Sequence, residues 1–162
     1  MIMDKSRHGR IDRLVQEKRH DTYQERKKWP EPTVCTDCRA LFSNGRWCWQ
    51  EAPVYAYKIC CPACQRIADN YPAGDLLLQG TFFAGHREEI LNLVHNIESR
   101  EKNERPLERL MDIVDEEAQT RVTTTGIHLA RRIGEALVHA YQGDLDFTYG
   151  EGEKSIRVIW SR

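Results

Sequence analysis

No stretch of this chain approaches the roughly eighteen consecutive apolar residues that a membrane-spanning helix needs, so no such helix is expected. The first ten residues are mostly charged or polar and contain no apolar leader core, which argues against a secretory signal. A cytoplasmic location is the corresponding expectation. The motifs of common catalytic sites are missing too. There is no glycine-rich phosphate loop and no Ser/His/Asp set, and the adjacent pairs Glu88-Glu89 and Glu116-Glu117 read as solvated faces. His86 and His95 are nine positions apart, which places them on opposite sides of a helix, and His128 and His139 are too widely spaced to share a metal without tertiary help. No catalytic residue is assigned, and the protein is expected not to be an enzyme.

Net charge is small, -1 over 162 residues, but it is unevenly spread. Residues 1–30 hold nine Lys/Arg against five Asp/Glu, a net of +4; residues 76–162 hold eleven against fifteen, a net of -4. A basic arm on an acidic body meets an anionic partner with the arm, because phosphate contact requires positive charge on the docking face. Residues 1–33 therefore read as a basic, flexible arm, with a short helix possible over residues 11–18. Trp29-Pro30-Glu31-Pro32 stiffens its exit.

Six cysteines are present, and four form two CxxC pairs: Cys35-Thr36-Asp37-Cys38 and Cys61-Pro62-Ala63-Cys64. Each pair supplies two thiolates from one tight turn, and four thiolates close a tetrahedral Zn²⁺ site with no open position. One structural zinc, held by Cys35, Cys38, Cys61 and Cys64, is expected. A redox dithiol would leave the second pair unexplained. An iron–sulfur cluster is chemically open to four cysteines, and a catalytic zinc would normally keep a free coordination position. Cys60 reads as a small hydrophobe on the segment feeding the second pair, and Cys48, between Trp47 and Trp49, as packed or half-exposed.

The intervening residues suit a zinc ribbon over 34–74. Asn44-Gly45 is a turn signal, and residues 54–59 form a second β-prone run. Trp47, Trp49, Tyr55 and Tyr57 alternate with Arg46 and Lys58. Such rings either stack on bases beside phosphate-binding cations or cover the metal knuckles of a module too small for any other core. Trp47 and Tyr57 suit the covering role, whereas Arg46 and Trp49 are kept as contacts.

Residues 75–162 read as a small two-layer α-β-β-α-β-β domain, so the fold class is α+β. One helix carries Ile90, Leu91, Val94 and Ile97 on a single face, and another buries Ile127, Ala130, Ile133, Leu137 and Tyr141. Strands are expected at about 107–114 and 118–124. Thr124 or Thr125 is the expected cap of the second helix and Gly143 its stop. Leu145, Phe147 and Tyr149, then Ile156, Val158 and Trp160, alternate as in a β-hairpin.

The run Glu31-Pro32-Thr33-Val34-Cys35-Thr36-Asp37-Cys38, with Asn44-Gly45-Arg46-Trp47, Cys61-Pro62-Ala63-Cys64-Gln65-Arg66-Ile67-Ala68-Asp69 and Tyr71-Pro72-Ala73-Gly74, resembles a family of uncharacterised bacterial zinc-ribbon proteins. The run from Val122 to Gly134 resembles it as well. The layout of cysteine knuckles followed by an α/β unit is more loosely similar to part of the archaeal and eukaryotic large-ribosomal-subunit export adaptor. The chain departs from the usual knuckle in having Arg39 where glycine often follows the second cysteine, and it adds Cys48 and Cys60. What the resemblance implies is association with RNA or the ribosome.

The expected function is therefore a non-enzymatic RNA-binding protein that docks on the ribosome or a ribosomal particle, where ribosomal-protein contacts are also possible. Its candidate nucleic-acid contacts are Arg7, Arg10, Arg13, Arg19, Arg26, Lys27 and Lys28 of the arm, Arg46 and Trp49 of the ribbon, and Arg131 and Arg132 of the second helix. A protein–protein adaptor using the acidic body and a DNA-binding regulator are the alternatives.

Overall fold

The computed structural model describes residues 29–162. Arg7, Arg10, Arg13, Arg19, Arg26, Lys27, Lys28 and the short helix considered at 11–18 lie outside the described residues. Within them the architecture is mixed α+β, with two sheets and four α-helices.

The first sheet is built from three-residue strands: β1 (Thr33–Cys35), β2 (Leu41–Ser43), β3 (Arg46–Cys48) and β4 (Tyr57–Ile59), in the order β3-β2-β1-β4. Asn44 and Gly45 both have positive φ, 54° and 77°, which gives the two-residue connection the twist of the β2–β3 hairpin. β4 returns parallel to β1, with Cys35 opposite Ile59. That register leaves Cys61 just beyond the sheet, at the start of helix α1 (Pro62–Asp69), where Pro62 takes the first-turn position that needs no N–H donor. Asn70, left-handed at φ 51°, ends the helix.

The second sheet has five strands: β5 (Gly74–Gln79), β6 (Leu110–Asp115), β7 (Gln119–Thr124), β8 (Asp144–Tyr149) and β9 (Ile156–Ser161), ordered β6-β7-β5-β9-β8. β5 and β9 are parallel and every other neighbouring pair is antiparallel. Helices α2 (Thr81–Gly85) and α3 (Arg87–Glu104) follow β5, and α4 (Ile127–Tyr141) follows β7. The α-β-β-α-β-β order expected from sequence is corrected by β5 and α2, which precede its first helix. β5 is the central strand. Its Leu76-Leu77-Leu78 run lacks alternation because Leu76 and Leu78 face the core while Leu77 lies half-buried on the other side.

The core lies between this sheet and the helices. Leu76, Leu78, Val122, Val158 and Trp160 of the strands meet Ile90 and Val94 of α3 and Leu129, Ile133 and Leu137 of α4. Both predicted helix faces thus point inward. Gly74 and Gly134 permit the close approach of α4: a β-carbon on Gly74 would strike Thr124 and Ala130, and one on Gly134 would come within 2.9 Å of Val158.

The other sheet face is largely polar, and among the described residues no helix packs on it. Directly opposed residues share a face, so the register sets Asp112, Thr123, Asp75, Arg157 and Thr148 in one row and Val114, Arg121, Leu77, Ile159 and Asp146 in the next. A cleft of about 600 Å³ crosses this face between the Asn70–Ala73 connection and the β8–β9 turn.

Candidate metal centre

The four sulfurs of Cys35, Cys38, Cys61 and Cys64 lie within 4.8 Å of one another and could hold a metal ion. Their placement follows from the local backbone. Cys35 ends β1, and the chain reverses so that Arg39 N–H donates to the carbonyl of Cys35 (3.1 Å) and Cys35 N–H to that of Ala40 (2.9 Å). The reversal puts Arg39 at φ 70°, a left-handed conformation that favours glycine. Across the site, Cys61 is the N-cap of α1, and its sulfur accepts from Cys64 N–H (3.4 Å). Thiolates at a helix N-terminus also gain from the helix dipole.

Each sulfur accepts at least one hydrogen bond. Cys35 Sγ receives the backbone N–H groups of Asp37, Cys38 and Cys61 at 3.3–3.5 Å. The other three are served by a residue that the sequence reading did not single out. Arg109, 8% exposed, donates from Nη1 to Cys64 Sγ (3.2 Å) and from Nη2 to Cys38 Sγ (3.3 Å) and Cys61 Sγ (3.2 Å). A guanidinium presents its donors in a rigid planar fork, so one side chain can span acceptors from both knuckles.

The electrostatics follow. Burial disfavours the Cys35 thiolate, but three backbone donors outweigh it and bring the thiol down to about 7. Burial pushes the Cys61 and Cys64 thiols up. Burial also opposes the Arg109 charge, yet its hydrogen bond to Cys64 and the neighbouring sulfurs hold the guanidinium above its usual range. A cation bound to these sulfurs would displace their protons and turn all four into thiolates.

Cys60 and Cys48 stand apart. Cys60 is exposed rather than packed, which corrects its reading as a small hydrophobe. Its thiol faces Asp37 Oδ2 at 3.4 Å, and desolvation together with that carboxylate pushes it up to about 12, leaving a protonated thiol. Cys48 Sγ donates to the carbonyl of Leu41 (3.4 Å).

Of the aromatic residues expected to cover the knuckles, Trp47 does so and Tyr57 does not. Trp47 packs against the cysteine cluster and against Trp29 and Phe42. Trp49 is 37% exposed, and its indole N–H donates to the carbonyl of Lys102 at the end of α3 (2.7 Å). Tyr55 and Tyr57, by contrast, are 78% and 58% exposed, and Lys58 beside them is exposed as well. Tyr57 therefore does not cover the metal knuckles. Arg46 is exposed on β3. Arg131 pairs with Glu135 (3.0 Å) and Arg132 with Glu101 (3.2 Å), both in the α/β part of the chain.

The cap of α4 also differs from expectation. Neither Thr124 nor Thr125 caps it; Gly126 is the N-cap residue, and Glu108 Oε2 accepts the N–H of Leu129 (3.2 Å) from outside the helix. Gly126 leaves room for that carboxylate, since a β-carbon there would strike it.

Comparison with protein-family models, curated proteins and solved structures finds no match to this chain. Its functional reading therefore rests on the site. Among the described residues, no helix is long and apolar enough to cross a membrane.

Proposed function

We propose that this is a non-enzymatic RNA-binding protein, stabilised by one structural Zn²⁺, that docks on the ribosome or a ribosomal particle. Zinc is favoured over a cluster by the size of the site. Cys38 Sγ and Cys61 Sγ are 3.8 Å apart, close to the edge of a tetrahedron with Zn–S bonds of about 2.3 Å. Four thiolates would leave that ion no position for substrate, so its contribution is to hold the ribbon together.

The observation that carries the RNA reading is the exposure of Tyr55 and Tyr57 at the root of the basic arm. Tyr57 N–H donates to the carbonyl of Pro32 (3.0 Å), which ties β4, an edge strand among the described residues, to the segment just before β1. Two open rings, Lys58 and a +4 arm combine a stacking platform with cations for phosphate. Arg46, on the opposite edge strand, adds a further cation. The experiment is co-sedimentation with ribosomes across a salt series, with and without nuclease. A salt-sensitive and nuclease-sensitive association supports RNA contact. Association that survives both treatments would sink it.

The polar face of the five-stranded sheet, where Asp112 and Asp146 stand beside Asp75 and its partners Arg121 and Arg157, favours the second reading, a protein–protein adaptor. That reading expects binding to persist after nuclease treatment.

A further inference from the structure

We propose that Arg109 makes the metal centre a lock between the cysteine-bearing ribbon and the α/β sheet, so that metal retention and docking of the two are one coupled equilibrium. This rests on metal occupancy of the four-cysteine site and is independent of RNA binding.

The short segment 106–109 touches three structures at once. The Arg109 guanidinium reaches sulfurs from both knuckles, and its Nε–H donates to the carbonyl of Pro106 (2.9 Å), fixing the side chain against its own backbone. Leu107 packs on the cysteine cluster. On the opposite side, Arg109 N–H donates to Thr125 Oγ1 (2.9 Å) and Thr125 N–H donates to the carbonyl of Arg109 (2.9 Å). Thr125 Oγ1 also donates to the carbonyl of Leu107, and Glu108 takes the N–H of Leu129 in the first turn of α4. Hydrogen bonds joined through the chain of residues 107–109 therefore run from the cysteine sulfurs to the start of α4.

Charge makes the path directional. A divalent ion with four thiolates carries a net charge of about -2, and a buried anion of that kind needs a partner. Arg109 supplies the opposite charge from the loop that leads into β6. The two knuckles are held together by the β1–β4 pairing and the Cys61 N–H to Cys35 Sγ bond, and one ion would fix the three acceptors far more firmly. Removing the ion loosens the knuckles, and the acceptors that hold segment 106–109 loosen with them. Conversely, removing the guanidinium leaves the anionic centre without its partner and loosens its hold on the ion, as loss of an outer-shell partner does at other metal sites.

The test is hydrogen exchange on the full-length protein, with metal content measured by elemental analysis, before and after chelation under reducing conditions. The expected result is loss of protection at the amides of Arg109, Thr125 and Leu129 together with the knuckles, while β9 stays protected. Deprotection confined to residues 33–66 would overturn the lock while leaving the metal reading intact. Protein purified without added metal that contains none would overturn both. In parallel, Arg109→Gln should release metal to a competing chelator about 10–100-fold more readily than wild type, with Arg109→Lys in between. A folded Arg109→Gln protein that retains metal as wild type does would also overturn it. Should that variant not fold, the exchange pattern of the wild-type protein decides.

Discussion

The indole N–H of Trp49 donates to the main-chain carbonyl of Lys102 at 2.7 Å, a contact spanning 53 positions of sequence. It fastens the residue after β3 to the end of α3, so this ring acts as a strut between the ribbon and the α/β layer. Trp49→Phe keeps most of the apolar area and deletes the donor, and should cost about 0.5–1.5 kcal/mol of stability. Denaturant unfolding measures this. RNA affinity, measured where both proteins are folded, should be unchanged; a large selective loss would return Trp49 to the binding surface.

Under the proposed RNA reading, the exposed Tyr57 is the ring to test for stacking. Tyr57→Ala should weaken RNA binding by about 1–3 kcal/mol, with little effect on its salt dependence, as expected for a ring on a base. Truncation to residues 31–162 should lower affinity and also flatten the salt slope, because counterion release scales with the number of phosphates neutralised. Filter binding across a salt series separates the two signatures. An arm that changes neither quantity is only a solubilising tail.

Elemental analysis of protein purified without added metal should find one zinc per chain. Cys61→Ala removes both a ligand and the cap of α1, and should abolish tight zinc binding while much of the helical signal of α3 and α4 persists. Stoichiometric iron would refute the zinc assignment.

Arg39 adopts φ 70° in the first knuckle, where a side chain costs about 1–2 kcal/mol relative to glycine. Arg39→Gly should therefore slow metal release to a chelator. An accelerated release would mean that the arginine side chain makes a compensating contact.

Glu108 offers a test by pH. Burial raises its pKa, chiefly by desolvation, despite the N–H of Leu129 and the nearby His128 and Arg105. A carboxyl raised in the folded state binds its proton more tightly there than when unfolded, so its contribution to stability falls as pH climbs from about 4.3 through the folded value. Glu108→Gln should match wild type at the acid end of that window and exceed it at neutral pH. Equal pH profiles for the two proteins would show that the carboxylate is solvated or fully compensated.

Local pattern determined much of this protein. Two CxxC pairs mark the four cysteines that cluster, because each pair needs only one tight turn. The 3.6-residue spacing of Ile90, Leu91, Val94 and Ile97 marks an inward helix face, and Ile156, Val158 and Trp160 mark a strand by alternation. Where identity depends on what lies opposite in space, sequence was silent or misleading. β5 was missed because a central strand covered unequally on its two faces shows no period. Tyr57, expected to cover the knuckles, stands exposed because ring size reports how much area a residue can bury, while only packing decides which ring is covered. Arg109 follows Cys64 by 45 positions and nothing in its neighbours marks it. Its place beside the sulfurs exists only once the ribbon is folded against the sheet, where a buried cation is stable because sulfurs from both knuckles accept its hydrogen bonds.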